Sequence, residues 1–243
     1  GQDVFHKYFT PLTEGFLYGE ANNLESIEVL LKENKCCAVM MELVQGEGGV
    51  LALDREFAEG VSKLCEKYNV LLVLDEVQTG NGRSGELYAY QAYGLSPDVV
   101  STAKGLGGGL PIGACLMYDK TEEILKPSLH GSTFGGNPIA CASAIHVLNR
   151  IDDKLLSDVK EKSAYIFNTL NGADGIKSVS GLGLMIGIET VGDVSLILQK
   201  CMENGILPIK AKNKLRLLPA LNIPMELLVR AVEIIKRVAS ENK

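Results

Sequence analysis

Residues 70–77, VLLVLDEV, set five consecutive apolar residues directly before two acids. A strand that is apolar on both faces needs cover on both sides, which is the situation of a strand inside a mostly parallel sheet flanked by helices. Its polar end then falls where such sheets open a crevice, and ligands bind at those carboxyl ends. The neighbouring sequence repeats the theme. Apolar runs at 38–44 and 99–103 alternate with amphipathic stretches at 55–68 and 86–93, a succession that predicts parallel βα units.

The pattern changes after GGNPIACAS. A long helical stretch is expected over about 139–170, with a break near 151–153. Short strands follow at 176–179, 184–189 and 215–218, and helices at about 194–204 and 225–240, an α+β arrangement. The expected fold class is therefore α/β: residues 1–145 form part of a large, mostly parallel-sheet domain, and residues 146–243 a small C-terminal α+β domain.

Composition narrows the function classes. A net charge of −6 without a Lys/Arg block gives no electrostatic reason to expect nucleic acid or an anionic membrane. The apolar runs are too short to cross a bilayer, and GQDVFHKYF lacks the basic-then-apolar layout of a signal peptide. The six cysteines show no CxxC pair and are read as buried free thiols of a cytoplasmic protein. The three histidines lie apart from them, so no metal site is expected. A small molecule is the expected partner.

Three segments carry chemistry. In LLVLDEVQTGNGRSG, residues 71–85, Asp75 ends an apolar strand, and Gly80, Gly82 and Gly85 spell a GxGxxG. The glycines admit a dinucleotide reading, with Asp98 at about the fingerprint's distance. Against it, Asp75 and Glu76 put negative charge where a pyrophosphate would sit, and Asp98 precedes a strand where the fingerprint wants an acid ending one. In PDVVSTAKGLGGGLPIG, residues 97–113, Lys104 closes a short strand before a glycine-dense run that suits backbone approaching a bulky ligand. It is not a phosphate-binding P-loop, which needs the lysine after the glycines. The loop HGSTFGGNP, residues 130–138, sets two hydroxyls among glycines; it reads either as a plain turn or as an anion-binding loop. Taken together, a carboxylate that can keep a pyridine nitrogen protonated and a lysine that can link an aldehyde meet the needs of pyridoxal-phosphate chemistry.

At this point the sequence resembles the class III aminotransferases of PLP fold type I, most closely the acetylornithine aminotransferase group. ELVQGEGG, LDEVQTGNGRSG, PDVVSTAKGLGGGLPIGA, HGSTFGGNPIACA and LRLLPAL stand in family order. The resemblance implies that Asp75 pairs with the pyridine nitrogen of pyridoxal 5'-phosphate, that Gln78 lies near the ring hydroxyl, and that Lys104 links the aldehyde. It implies that Thr133, with Ser132, contacts the phosphate across a homodimer interface with shared active sites. Arg216 matches the arginine that grips the substrate α-carboxylate and Glu47 the acid that pairs with it; Glu42 and Arg83 take structural roles. The implied reaction moves the terminal amino group of N-acetylornithine, or a related ω-amino donor, to 2-oxoglutarate, a step of arginine biosynthesis.

Three positions depart from the commonest family pattern: Leu43 stands for a proline, Ser84 for a threonine and Ala220 for a second proline. None is a chemical group of the implied mechanism. The family chain also has an upstream segment with a phosphate-binding loop and an aromatic that stacks on the ring, and Gly1 aligns after it. A non-catalytic piece or a subunit that needs a partner chain is therefore the alternative to the enzyme reading, and residues 1–243 alone are expected to be inactive.

Overall fold

The computed structural model describes residues 6–243. Its first sheet has the order β1 (Ala38–Met41), β4 (Leu71–Asp75), β5 (Val99–Thr102), β6 (Ala114–Met117). The first three are parallel, as the alternation predicts, but β6 returns antiparallel to β5. The sequence reading had no strand there, because ACLM is short and follows a run of glycines and a proline that reads as loop.

Cover on the sheet is uneven. Helix α1 (Leu24–Glu33) and helix α2 (Arg55–Tyr68) lie on one side, where α2 contributes Phe57, Ala58, Val61, Leu64 and Cys65 at helical spacing to a core with Leu72 and Leu74. The other face, carrying Leu71, Val73 and Asp75, is half-buried, and Met40 on β1 is 60% exposed. The two-sided burial expected for residues 70–77 is thus realised on one face only.

The second half matches its expected elements closely. Helix α4 (Pro138–Leu148) follows the short helix α3 (Ala89–Tyr93), and α5 (Asp153–Leu170) follows α4. The expected break falls at Asp152, whose side chain accepts from Leu155 N at 2.8 Å and so restarts the chain as an N-cap. An antiparallel sheet follows, in the order β7 (Ile176–Leu182), β8 (Met185–Thr190), β10 (Lys214–Leu217), β9 (Ile209–Ala211). With α5, α6 (Val194–Glu203) and α7 (Met225–Glu241) it forms the second core, centred on Ile166, Leu184, Ile188, Leu215 and Ile235.

A two-stranded ribbon, β2 (Val44–Gln45) with β3 (Leu51–Ala52), docks onto this second sheet. Val44 and Val50 are fully buried against Met185. Gly187 makes the contact possible, since a Cβ there would lie 2.8 Å from Val50 Cβ. The ribbon's tip is held further by Ser180 Oγ, which donates to Val50 O at 2.8 Å and accepts from Lys214 Nζ at 2.8 Å.

A second seam lies at Arg83. Its guanidinium donates to the carbonyls of Leu184 and Pro219, while Arg83 O accepts from Leu184 N at 2.9 Å. Burial pulls the Arg83 pKa down without depriving it of charge at neutral pH. Replacing it strands two carbonyls. Arg83→Ala is expected to lower stability by about 2–3 kcal/mol, the range for hydrogen bonds to a charged donor. Urea unfolding checks this, and an unchanged midpoint would remove Arg83 from the seam.

Candidate active site

β4 and β5 end level with one another, and Asp75 and Ser101 are partners in their register. Ser101 Oγ therefore donates to Asp75 Oδ1 at 2.9 Å, and Val77 N donates to the same oxygen at 2.9 Å. These bonds fix the Asp75 carboxylate by one oxygen. Ser101 was not singled out from the sequence; its place in STAK, level with the end of the neighbouring strand, is the signal that finds it.

Lys104 stands just past β5. The sequence reading has it end that strand, but the strand closes at Thr102, and Lys104 opens a 3₁₀ turn, Lys104–Gly107, at φ +48°. It lines a cavity of about 910 Å³ together with Gln78, Asn81, Arg83, Ala220 and Asn222. The volume suits a cofactor-sized ligand. Asn81 and Asn222 were not foreseen, because an asparagine in a turn reads first as turn chemistry.

The ribbon brings the remaining groups. Gly46 passes so close to Gln78 that a Cβ there would lie 2.6 Å from Gln78 Oε1, and Gln78 in turn hydrogen-bonds Glu47. Arg216 is level with Gly187 in the β8–β10 register, and its Nη1 donates to Glu47 at 2.8 Å. The Arg216 hydrogen bond holds the Glu47 carboxyl below its ordinary range. The pair is asymmetric: the Arg216 side chain is 10% exposed and that of Glu47 52%. Arg216 Nε is buried with no partner among the described residues, an unsatisfied donor of the kind that a bound carboxylate would satisfy.

Glu42 lies within electrostatic range of Asp75, Lys104 and Glu47, and burial pushes its pKa up although Gly46 N donates to it at 3.3 Å. Gln78 and Lys104 line the cavity itself; Glu47 and Arg216 are joined to Gln78 through hydrogen bonds, and Asp75 lies with Lys104 and Glu47 within electrostatic range of Glu42. Ser132 and Thr133 do not line the cavity either. They sit on a fully exposed stretch at 122–139, away from the cavity wall.

The dinucleotide reading is corrected here. After Gly85 no crossover helix begins; the next helix is the five-residue α3. Side chains already crowd the glycines: a Cβ at Gly82 would lie 3.1 Å from Leu221 Cδ1, and one at Gly85 2.8 Å from Lys160 Cγ. Asp98 is also committed, accepting from Leu72 N at 2.9 Å and pairing with Lys120 at 2.9 Å. The cysteine expectation is corrected in part. All six are free thiols, and burial raises Cys65 and Cys201 to about 11, but Cys37 and Cys115 are exposed. Among the described residues no helix is long and apolar enough to cross a membrane.

Glu76, beside Asp75, is 1% exposed; it accepts from Thr79 Oγ1 and, at 2.8 Å, from Tyr90 N. Burial raises its pKa above the usual 4.5 despite these bonds. Below 4.5 both the folded and unfolded chains hold this proton; above it the unfolded chain releases it first. The contribution is therefore lost as pH rises through the folded value. Glu76→Gln should flatten that fall. Unfolding free energies of both proteins from pH 4 upward check it: parallel curves would contradict the assignment.

The aminotransferase class-III family model matches residues 8–239. The acetylornithine aminotransferase of Haemophilus ducreyi is 45% identical over 99% of this chain, which covers 62% of that relative. The succinylornithine transaminase of Salmonella newport is 42% identical over 93% of the chain and is covered over 58% of its length. Among solved structures, N-acetylornithine aminotransferase from Stenotrophomonas maltophilia superposes with a TM-score of 0.84 at 32% identity, over 95% of this chain and 63% of that one. This chain thus spans less than two thirds of the relatives it matches.

Proposed function

This chain belongs to the class III aminotransferases, and on that premise we propose that it supplies the lysine, ring-facing acid and substrate-gripping arginine of a pyridoxal-phosphate-dependent aminotransferase. The donor is the terminal amine of N-acetylornithine or a related ω-amino compound, the acceptor 2-oxoglutarate, and the setting cytoplasmic arginine biosynthesis. The observation that supports the reading is that Gln78 and Lys104 line one cavity while Gln78 hydrogen-bonds Glu47, which pairs with Arg216, and Asp75 lies within electrostatic range of the same group of residues. The relatives named for acetylornithine and succinylornithine support the donor class.

Bound pyridoxal phosphate supplies an electron sink for the carbon that carries the amine. The protein's part follows from its own groups. Asp75, fixed by Ser101 and Val77, favours the protonated form of a basic nitrogen placed beside its second oxygen. Lys104 Nζ would hold the aldehyde end of the cofactor, and as a free amine it would serve as the base and acid that moves a proton at the substrate carbon. Arg216 offers Nε and Nη to a carboxylate by two parallel bonds. Its pairing with Glu47 does not prevent this. A half-exposed ion pair contributes only about 0–1 kcal/mol, less than the ~1.5–3 kcal/mol of a charged hydrogen bond to a substrate. Ser132 and Thr133, exposed on their loop, fit a role in which they reach the cofactor phosphate of a second subunit in a homodimer.

Lys104→Ala in the complete enzyme is expected to abolish transamination while the cofactor still associates. Borohydride reduction of the loaded wild type followed by peptide mapping checks the assignment, since a pyridoxyl label on any other lysine would overturn it. Arg216→Ala is expected to weaken glutamate and 2-oxoglutarate binding by ~1.5–3 kcal/mol, roughly 10- to 150-fold. Half-reaction kinetics measure it. Glu47→Ala should act unequally on the two half-reactions, because a donor presenting its terminal amine turns its α-carboxylate away and leaves Arg216 to Glu47. Equal effects would refute that exchange.

A further inference from the structure

Behind Lys104 lies a buried polar relay that the proposed chemistry does not use. Asn81 is 6% exposed and leaves the glycine-rich turn at φ +55°. Its Nδ2 donates to Thr102 Oγ1 and to Ala103 O, each at 3.1 Å. The Tyr88 side chain hydrogen-bonds Thr102 as well, and Leu106 N adds a second bond to Ala103 O at 3.1 Å. The two residues that precede the lysine are thus gripped from several directions.

The lysine itself needs that grip. At φ +48° its Cβ crowds its own backbone, a conformation that a non-glycine residue keeps only when its surroundings over-determine it. Asparagine tolerates the same region at position 81, so the turn and the lysine share one unusual geometry. Asn81 also lies directly against the next residue: a Cβ added at Gly105 would meet only Asn81 Cβ, at 3.6 Å. Asn81 Oδ1 is buried without a partner among the described residues, so the Nδ2 bonds are what orient the amide there. Asn81 and Lys104 line the same cavity.

We propose that Asn81 is the positioning residue of Lys104: its amide nitrogen holds residues 102 and 103 so that the following lysine stays in the left-handed turn and presents Nζ to the cavity. This deepens the reading of Lys104 and rests on it. Asn81 touches no reacting atom in this role. It acts through the backbone.

The test separates the two readings by working first on the cofactor-free full-length enzyme. Lysines are trinitrophenylated over a pH series and Lys104 is quantified by peptide mapping, with exposed Lys120 and Lys160 as references for an intact fold. Asn81→Gly keeps the freedom for positive φ and removes the amide. Asn81→Asp keeps the shape and replaces the donor with an acceptor. Asn81→Gly is expected to change Lys104 labelling relative to the references by about three- to ten-fold, the effect of losing one or two hydrogen bonds, and Asn81→Asp to lower it at pH values below the lysine's pKa because its carboxylate favours the ammonium form. Thr102→Val, which removes one of the two acceptors and leaves Asn81 in place, is expected to give a smaller shift of the same sign as Asn81→Gly. In the loaded enzyme the Asn81 variants should lower kcat with little change in KM. Wild-type labelling of Lys104 in Asn81→Gly, with the references unchanged, would overturn the proposal. Should borohydride mapping instead find the cofactor on another lysine, the function assigned to Lys104 would fail while the labelling result still reported whether Asn81 positions it.

Discussion

The geometry of the cleft depends on the way two separately built cores are clamped together. One core buries Leu72 and Leu74 under α2, the other buries Ile188 and Leu215 under three helices, and neither needs the other to be apolar inside. The relation between them is set by Arg83 bonding across to Leu184 and Pro219, and by the ribbon seated on Gly187. Asp75, Gln78 and Lys104 belong to the first body and Arg216 to the second, so an error in the clamp is an error in the distance between the groups proposed to face the cofactor and the one proposed to face the substrate. Positioning of this kind governs rate more steeply than any one contact does, because reacting groups tolerate little displacement.

Within the first body, the site follows from ordinary sheet geometry. Parallel strands that end level deliver successive polar residues to one rim, which is how Asp75 meets Ser101 and how Lys104 arrives a few residues later. The two acids at the end of β4 then divide. Asp75 lies on the half-open face and is fixed by one oxygen, while Glu76 turns inward, takes up Thr79 and the start of α3, and has its pKa raised by burial. Adjacent carboxylates with opposite exposures give one group at the strand-end rim, proposed to face the cofactor, and one for the turn that carries Gln78.

Much of this was legible in the sequence because it rests on local rules. Apolar runs ending in polar groups located β4 and β5, helical spacing located α2, and the capping residue Asp152 accounts for the break between α4 and α5. Asp75, Gln78, Lys104, Glu47 and Arg216 were nameable from motif residues; Gln78 and Lys104 line the cavity, and the other three are connected to them by hydrogen bonds or electrostatic range. What escaped depends on registers and seams. β6 has too little pattern to announce a strand. Ser101 becomes a partner of Asp75 only through pairing of two strands 26 positions apart. The relay from Asn81 to Thr102 and Ala103 joins a turn to a strand end, and no periodicity encodes it. Ser132 and Thr133 stand apart because, among the described residues, their stretch at 122–139 is left exposed.

Gly187 stands level with Arg216 on the neighbouring strand, under the turn that carries Glu47. Its neighbours Ile186 and Ile188 are fully buried in the second core, whereas the glycine itself marks only the spot where the ribbon lands. Inheritance at these adjacent codons therefore carries different meanings. Loss of an isoleucine would surface in a population as a shortage of protein. A side chain gained at 187 would press on the buried Val50 and shift the ribbon, so it would disturb the Glu47–Arg216 pair along with the packing between the two cores.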